Sequence, residues 1–254
     1  MKSFNKTAIV ILMGVLVTAC SDFDDVETPL DNFKVDIATV GNPDEKNEFF
    51  LKLDDSTMLW TAASAFHNYK PADGQRVLAN YTILDDKRPT GMYDYDVRLN
   101  DVYEVLTKPI FNITPATQDS IGNDPIQVTE IWIGSKYLNV EFVYYAFNKA
   151  HFINLVKDDS KTYDDGKIHL EFRHNAMGDF EQERRYGLAS FDISSLMSTT
   201  TNTVPLVIHV NKPNQVEDEL HNLTFNYNIP VPVEASVHHF TPERIKEYQS
   251  TLIE

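Results

Sequence analysis

The chain has 254 residues, a net charge of −16, and 15 Phe, 12 Tyr and 2 Trp but a single Cys. So acidic a chain repels nucleic-acid phosphate, whose binding rests on Lys and Arg, and an anionic membrane surface. Its aromatic content excludes wholesale disorder, and one cysteine excludes a disulfide framework.

Lys2 and Lys6 make a short basic start, and Ala8 to Val17 is an unbroken apolar run. That run is shorter than the roughly 20 residues of a bilayer span. It fits the hydrophobic region of a signal peptide, with small residues at the cleavage point. Val17-Thr18-Ala19-Cys20 reads as a lipobox: branched, small polar, small, cysteine. Residues 1–19 are then a lipoprotein signal peptide, and Cys20 receives lipid as the mature N terminus and ties the chain to the membrane. The alternative is an ordinary secretory signal with a chance cysteine. Losing Lys2 and Lys6, with no acid, takes the net charge from −16 to −18. With Cys20 spent, no thiol is left for a nucleophile or a zinc site. Residues 20–35, acidic and poor in apolar side chains, are expected to be a tether that self-repulsion keeps extended.

A first region follows. Phe49, Leu51 and Leu53 alternate with polar partners and suit a strand. Asp54-Asp55-Ser56 is a turn cluster, and Thr57 to Ala62 can return from it. Ala62 to Gly74 is mostly loop, and Arg76 to Leu84 is a strong strand. After a turn over Asp85-Asp86 to Gly91, Tyr93 to Arg98 and then Val102 to Ile113 supply further strands, with a break near Pro109. Short strands with turns between them suggest a small barrel or sandwich. Thr114 to Pro125, with two prolines and a glycine, is the expected domain boundary.

Beyond it lie strands over Ile126 to Ile133, Tyr137 to Ala146, His151 to Val156, Ile168 to Phe172, Tyr186 to Phe191, Pro205 to Val210 and Leu223 to Ile229. In the second of these, Leu138, Val140, Phe142 and Tyr144 share one face, and Asn139 and Glu141 the other. Roughly seven strands at regular spacing are the pattern of an antiparallel sandwich. Thr241-Pro242-Glu243 has an N-cap, a proline at the first helical position and an acid in the first turn, and opens a short terminal helix.

Motifs for chemistry are absent: there is no G-x-S-x-G, G-x-x-x-x-G-K, G-x-G-x-x-G or H-E-x-x-H. The histidines, His67, His151, His169, His174, His209, His221, His238 and His239, are scattered. His169 and His174 flank a strand end, but an odd spacing points them to opposite faces, and zinc needs three or four convergent ligands. Asp54-Asp55, Asp85-Asp86, Asp158-Asp159 and Asp164-Asp165 lack the calcium-loop spacing and fall where turns are expected. With 38 acidic residues any glycosidase-like carboxylate pair can be nominated, so none is supported. Trp60, Trp132, Tyr144 and Tyr145 could form an aromatic ligand platform, although aromatics on strands are more often core or cross-strand pairs. No catalytic residue, cofactor or metal ligand is assigned.

Several segments in order resemble the NigD-like family of lipoproteins. They are the lipobox at Cys20; Asp73 to Leu78 running into Asn80-Tyr81-Thr82; Trp132-Ile133-Gly134 with Tyr137 to Val140; His151 to Val156; Phe172 to Ala176 with Gly178-Asp179; and Ser190 to Leu196. The resemblance covers nearly the whole chain. It implies an N-terminal OB-like barrel, a C-terminal β-sandwich and an association with bacteriocin immunity, and it brings no catalytic residues. Acidic residues just after Cys20 resemble the surface-export signal of lipoproteins in gut and oral Gram-negative anaerobes. Asp55-Ser56-Thr57 and Asp119-Ser120-Ile121 resemble a short O-glycosylation signal of the same bacteria, with Ser56 and Ser120 as acceptors. OB barrels often bind nucleic acid through a basic aromatic face, a use that acidity and export argue against here.

The expected chain is therefore all-β: signal peptide 1–19, tether 20–35, OB-like barrel 36–116, antiparallel β-sandwich 126–240 and a short C-terminal helix. The expected role is that of a non-enzymatic outer-membrane lipoprotein, facing outward, that occupies a cationic peptide toxin or a neighbouring surface protein. A glycan-binding or surface-assembly role, through Trp132 or Tyr145, is the alternative. A hydrolase ranks last.

Overall fold

Alternating apolar and polar residues become strands wherever one face can be buried. The computed structural model describes residues 33–41, 48–66, 69–85, 91–117, 121–197, 201–226, 240–249 and 253–254. The signal peptide, Cys20, the tether through residue 32, His67, Ser120, His238 and His239 lie outside them.

Strands β1 (Phe33–Gly41), β2 (Phe50–Leu53), β3 (Met58–Ser64), β4 (Arg76–Ile83) and β5 (Tyr95–Glu104) close a barrel in the order β1-β2-β3-β5-β4. This is the OB-like barrel expected. β1 starts at Phe33, so the last three residues assigned to the tether are strand. Tyr93 to Arg98 and the stretch from Val102, read as separate strands, are largely one. A bulge at Asn100 shifts the register between β4 and β5 and flips which side chains face inward. Val97 and Leu99 point into the barrel before it and Val102 after it, which hid the continuity. Asn100 Nδ2 donates to Asn80 Oδ1 at 3.2 Å and Thr82 Oγ1 at 2.9 Å across the bulge.

The domain boundary lies earlier than expected. β6 (Leu106–Pro109) and β7 (Phe111–Ile113) belong to the sandwich, one in each sheet. The barrel therefore ends at Glu104 rather than at residue 116. Pro109 offers no N–H to continue a ladder, and the chain steps there from one sheet to the other.

The sandwich continues with β8 (Gln127–Gly134), β9 (Tyr137–Ala146), β10 (Phe152–Asp158), β11 (Ile168–Asn175), β12 (Glu183–Asp192), β13 (Thr203–Val210) and β14 (Glu219–Asn226). One sheet runs β14-β13-β11-β10-β7 and the other β6-β12-β9-β8. Neither is purely antiparallel. The hairpins β8–β9, β10–β11 and β13–β14 are antiparallel, but β6 with β12, β7 with β10 and β11 with β13 pair parallel. The parallel pairs arise because the chain changes sheets between these strands, a feature that strand periodicity does not carry. Leu138, Val140, Phe142 and Tyr144 of β9 fill the core against Leu155, Phe172, Ile208 and Phe225.

The other face of β9 is buried too. Helix α1 (Pro242–Gln249) begins at the predicted cap, with Thr241 Oγ1 accepting from the Arg244 amide at 3.3 Å. It lays Ile245 and Tyr248 into a seam with Val35, Ile37 and Leu78 of the barrel and Trp132 and Leu188 of the sandwich. Beside this seam Arg76, 1 % exposed, donates from Nη1 and Nη2 to Asp54 at 2.7 and 2.8 Å, and from Nη2 to Asn139 Oδ1 at 3.2 Å. Asn139 Oδ1 also accepts from Ser190 Oγ at 2.6 Å, and the Arg76 guanidinium lies 4.4 Å above the Tyr137 ring. A Cβ on Gly134 would come 2.0 Å from Asp54 Oδ2, so only glycine lets the β8–β9 turn approach this buried pair.

Candidate functional site

The candidate site is a cleft of about 670 Å³ at one end of the sandwich. It is built where the ends of β9 and β11 meet the strap leading into β8, the β11–β12 turn and the β13–β14 turn. Its wall and floor include Asp124, Tyr144, Tyr145, His174, Asp179 and Glu181. Three of its lining residues are acids, and no lysine or arginine is among the lining residues described. Around it the turns leave large side chains in solvent: Tyr145 (48 % exposed), Phe147 (43 %), Met177 (50 %) and Phe180 (77 %).

The floor is a hydrogen-bonded chain. His174 Nδ1 lies 3.1 Å from the Pro125 carbonyl, His174 Nε2 lies 2.8 Å from His151 Nδ1, and His151 Nε2 lies 3.3 Å from Asp179 Oδ2. Tyr144 packs against both imidazoles, with its ring centroid 5.0 Å from that of His151. Asp179 closes the chain because Met177 and Gly178 are both left-handed, with φ of 53° and 63°. They turn the backbone so that Asp179 lies beneath the β9–β10 turn. There its carboxylate accepts from the amides of Phe147 at 2.7 Å, Asn148 at 3.2 Å and Lys149 at 3.3 Å.

Burial alone would raise the Asp179 pKa. The amides of Phe147, Lys149 and Phe180, together with His151, outweigh it and hold the carboxyl far below its usual range. Burial lowers the His174 pKa, and charge on His151 lowers it further against the opposing pull of the Pro125 carbonyl. Both nitrogens of His174 are engaged inside the protein, Nδ1 with the Pro125 carbonyl and Nε2 with His151.

The structure separates His169 from His174 as their odd spacing requires. His174 points inward. His169 points outward, where its Nδ1 meets His209 Nε2 at 2.8 Å and its Nε2 lies 3.0 Å from Asp165 Oδ1, with the Tyr163 ring stacked on it at 3.5 Å. Among the described residues no group of three or more His, Cys, Asp or Glu is placed to hold a metal ion. The turn reading of the acids holds for Asp55, Asp158 and Asp165, which accept from the amides of Thr57, Ser160 and Lys167. It misses Asp54, which is buried against Arg76.

The four nominated aromatics do not form a platform. Trp60 stacks on Tyr93 on the barrel at 5.1 Å, Trp132 is 9 % exposed and packs on Phe240 at the seam, and Tyr144 is in the core. Of the four, only Tyr144 and Tyr145 line the cleft, Tyr144 from the core side and Tyr145 at the exposed rim. Ser56 sits exposed in the β2–β3 turn with φ of 76°. In the sequence Asp179 stands out only as part of Gly178-Asp179 in the family resemblance. Its signal in the sequence is the Met177-Gly178-Asp179 corner directly after His174, but the amides it caps come from a turn some 30 residues earlier.

Comparison with known proteins places two family models on the chain: the NigD-like N-terminal OB domain over residues 37–105 and the NigD-like C-terminal beta sandwich domain over 109–227. Among solved structures, a putative toxin related protein from Parabacteroides distasonis is 34 % identical, with 77 % of this chain and 94 % of that one covered and a TM-score of 0.67. A protein of unknown function from Bacteroides vulgatus is 26 % identical, covers 85 % and 99 %, and has a TM-score of 0.72. A NigD-like immunity protein from Bacteroides caccae shares the fold at 18 % identity, 76 % and 96 % coverage and a TM-score of 0.60. No curated protein matches.

Proposed function

Because the chain belongs to the NigD-like family, we propose that it is an exported lipoprotein, anchored in the outer membrane through lipid on Cys20, that protects its cell by binding a cationic peptide toxin. The observation that carries this reading is the cleft: three acids among its lining residues, exposed Tyr145, Phe147, Met177 and Phe180 around it, and no lysine or arginine among the lining residues described. Such a surface complements a cationic, amphipathic peptide, whose charges steer the encounter and whose apolar face settles on the rim. The net charge, −16 for the full chain and −18 without Lys2 and Lys6, extends the same attraction over the whole body. No helix of the described residues is long and apolar enough to cross a membrane. The acidic residues after Cys20 support exposure on the outer leaflet.

The test is a deletion strain challenged with culture supernatants of close relatives. Selective killing, rescued by the intact gene but not by Cys20→Ala or Phe180→Asp, is the expected result. Equal survival of deletion and parent strains across a broad panel would refute immunity. Glycan binding or surface assembly is the second reading, favoured by the exposed Tyr145 ring; Trp132, buried at the seam, takes no part in it. A glycan-array signal abolished by Tyr145→Ala would select it.

A further inference from the structure

The floor of the cleft has a proton count that its geometry dictates. The Pro125 carbonyl can only accept, so the proton on that side is on His174 Nδ1. His174 Nε2 is then an acceptor, and His151 Nδ1 must donate to it across 2.8 Å. On the far side His151 Nε2 faces the Asp179 carboxylate, which can only accept while ionised, and the backbone amides of Phe147, Asn148 and Lys149 favour its ionised form. Three hydrogen bonds in series across two imidazoles need three ring protons, where two neutral rings carry two. The chain closes only with an imidazolium at His151 beside the Asp179 carboxylate.

This chain joins four segments at the cleft, which are further tied by Asp124 to Ala176, by Lys149 to Met177 and Gly178, and by the β10–β11 ladder. Pro125 belongs to the strap before β8, His151 to the β9–β10 turn, His174 to the end of β11, and Asp179 to the β11–β12 turn. We infer that the His151–His174–Asp179 chain is a proton-operated latch that holds the cleft in shape at neutral pH and releases its two aromatic-bearing turns in acid. A fourth proton has one place to go, His174 Nε2, where it would face the His151 Nδ1 proton across 2.8 Å, and two donors cannot share that gap. The β9–β10 turn, with Phe147, and the β11–β12 turn, with Met177 and Phe180, stay bonded to each other through Asp179 and Lys149 but together lose their link to His174.

The charged and titratable groups facing the pair are Asp179 and Glu181 from the β11–β12 turn, Asp124 from the strap, Tyr144 from β9, Lys149 from the β9–β10 turn and Glu254 at the edge of β10. Asp124 Oδ2 accepts from the Ala176 amide at 2.8 Å, and Lys149 Nζ is bound to the Met177 carbonyl at 2.8 Å. Glu254 meets His151 through backbone, its amide donating to the His151 carbonyl at 2.9 Å. These contacts leave His174 as the member of the chain open to an added proton, in keeping with its lowered pKa. The inference deepens the proposed binding role by giving the cleft a control. It needs no ligand to be tested, so it stands or falls apart from the identity of the partner.

The experiment is ring-nitrogen NMR and amide hydrogen exchange on the full chain in detergent. At pH 7 both ring nitrogens of His151 should read as protonated, while His174 reads as the Nδ1–H tautomer. A neutral His151 ring at pH 7 would overturn the inference. Below the His174 titration, exchange in residues 147–150 and 176–181, corrected for its intrinsic pH dependence, should quicken together by about tenfold per pH unit, as one coupled proton requires. Exchange that stays constant, or quickens in one turn alone, also overturns it. His174→Phe should remove the pH dependence while His169→Asn on the outer pair keeps it. Should His174→Phe fail to fold, the ring-nitrogen spectra of the unmodified chain decide alone.

Discussion

Two charged residues that periodicity treats as surface, Arg76 and Asp54, are buried together where barrel meets sandwich. Removing one partner of a buried pair leaves the other uncompensated. Arg76→Met should therefore destabilise the protein by about 3–5 kcal/mol, read as a lower urea midpoint. Gly134→Ala pushes a methyl into the same carboxylate and should act in the same direction. Phe180 is the opposite case. It is 77 % exposed, so Phe180→Asp should change stability by no more than about 0.5 kcal/mol while abolishing protection in the killing assay. Asp179 and His174 act in different pH windows. The depressed Asp179 pKa contributes stability that is present above the unfolded value, about 3.9, and is lost as pH falls through the folded one. The lowered His174 pKa contributes stability that is present above about 6.5 and is lost as pH falls below it. Urea midpoints of Asp179→Asn should be lower at pH 7 and should fall less steeply than those of the parent below pH 4.

At the scale of elements, β9 shows how burial depends on what lies outside the strand. Its core face alternates as expected, but Asn139 and Glu141, which alternation assigns to solvent, are 0 % and 8 % exposed. The barrel and α1 cover them. Arg244 on α1 reaches Glu141 at 3.4 Å and lies over the Tyr186 ring at 4.3 Å. α1 is short, and its stability rests on tertiary packing rather than helix propensity. Ile245 is fully buried in the seam. Ile245→Ala should cost about 2–5 kcal/mol, in the range of a core substitution despite lying on a short terminal helix, and denaturant unfolding measures it.

For the whole molecule, the consequence is cooperativity. The barrel outer face, the back of β9 and α1 share one apolar seam and one buried polar cluster. Barrel and sandwich should then unfold in a single transition. Trp60 reports from the barrel and Trp132 from the seam, so fluorescence of the full chain and of Trp60→Phe should give the same midpoint as far-UV circular dichroism. Two separated transitions would show that the seam does not couple them.

The all-β class, most strand positions, the helix cap at Thr241 and the family are legible in the amino acids alone, because alternation, turn residues and capping are local signals written within a few residues. Where a local signal is interrupted, as at the Asn100 bulge, one strand looks like two. That β6 and β7 leave the barrel for the sandwich, that both sheets are mixed, and that the polar face of β9 is interior depend on contacts between distant segments. The cleft depends on them as well. His151, His174 and Asp179 come from three segments, and the amides that hold Asp179 come from the turn before His151. A carboxylate at a sharp corner looks like any turn residue until the chain's path places donors around it.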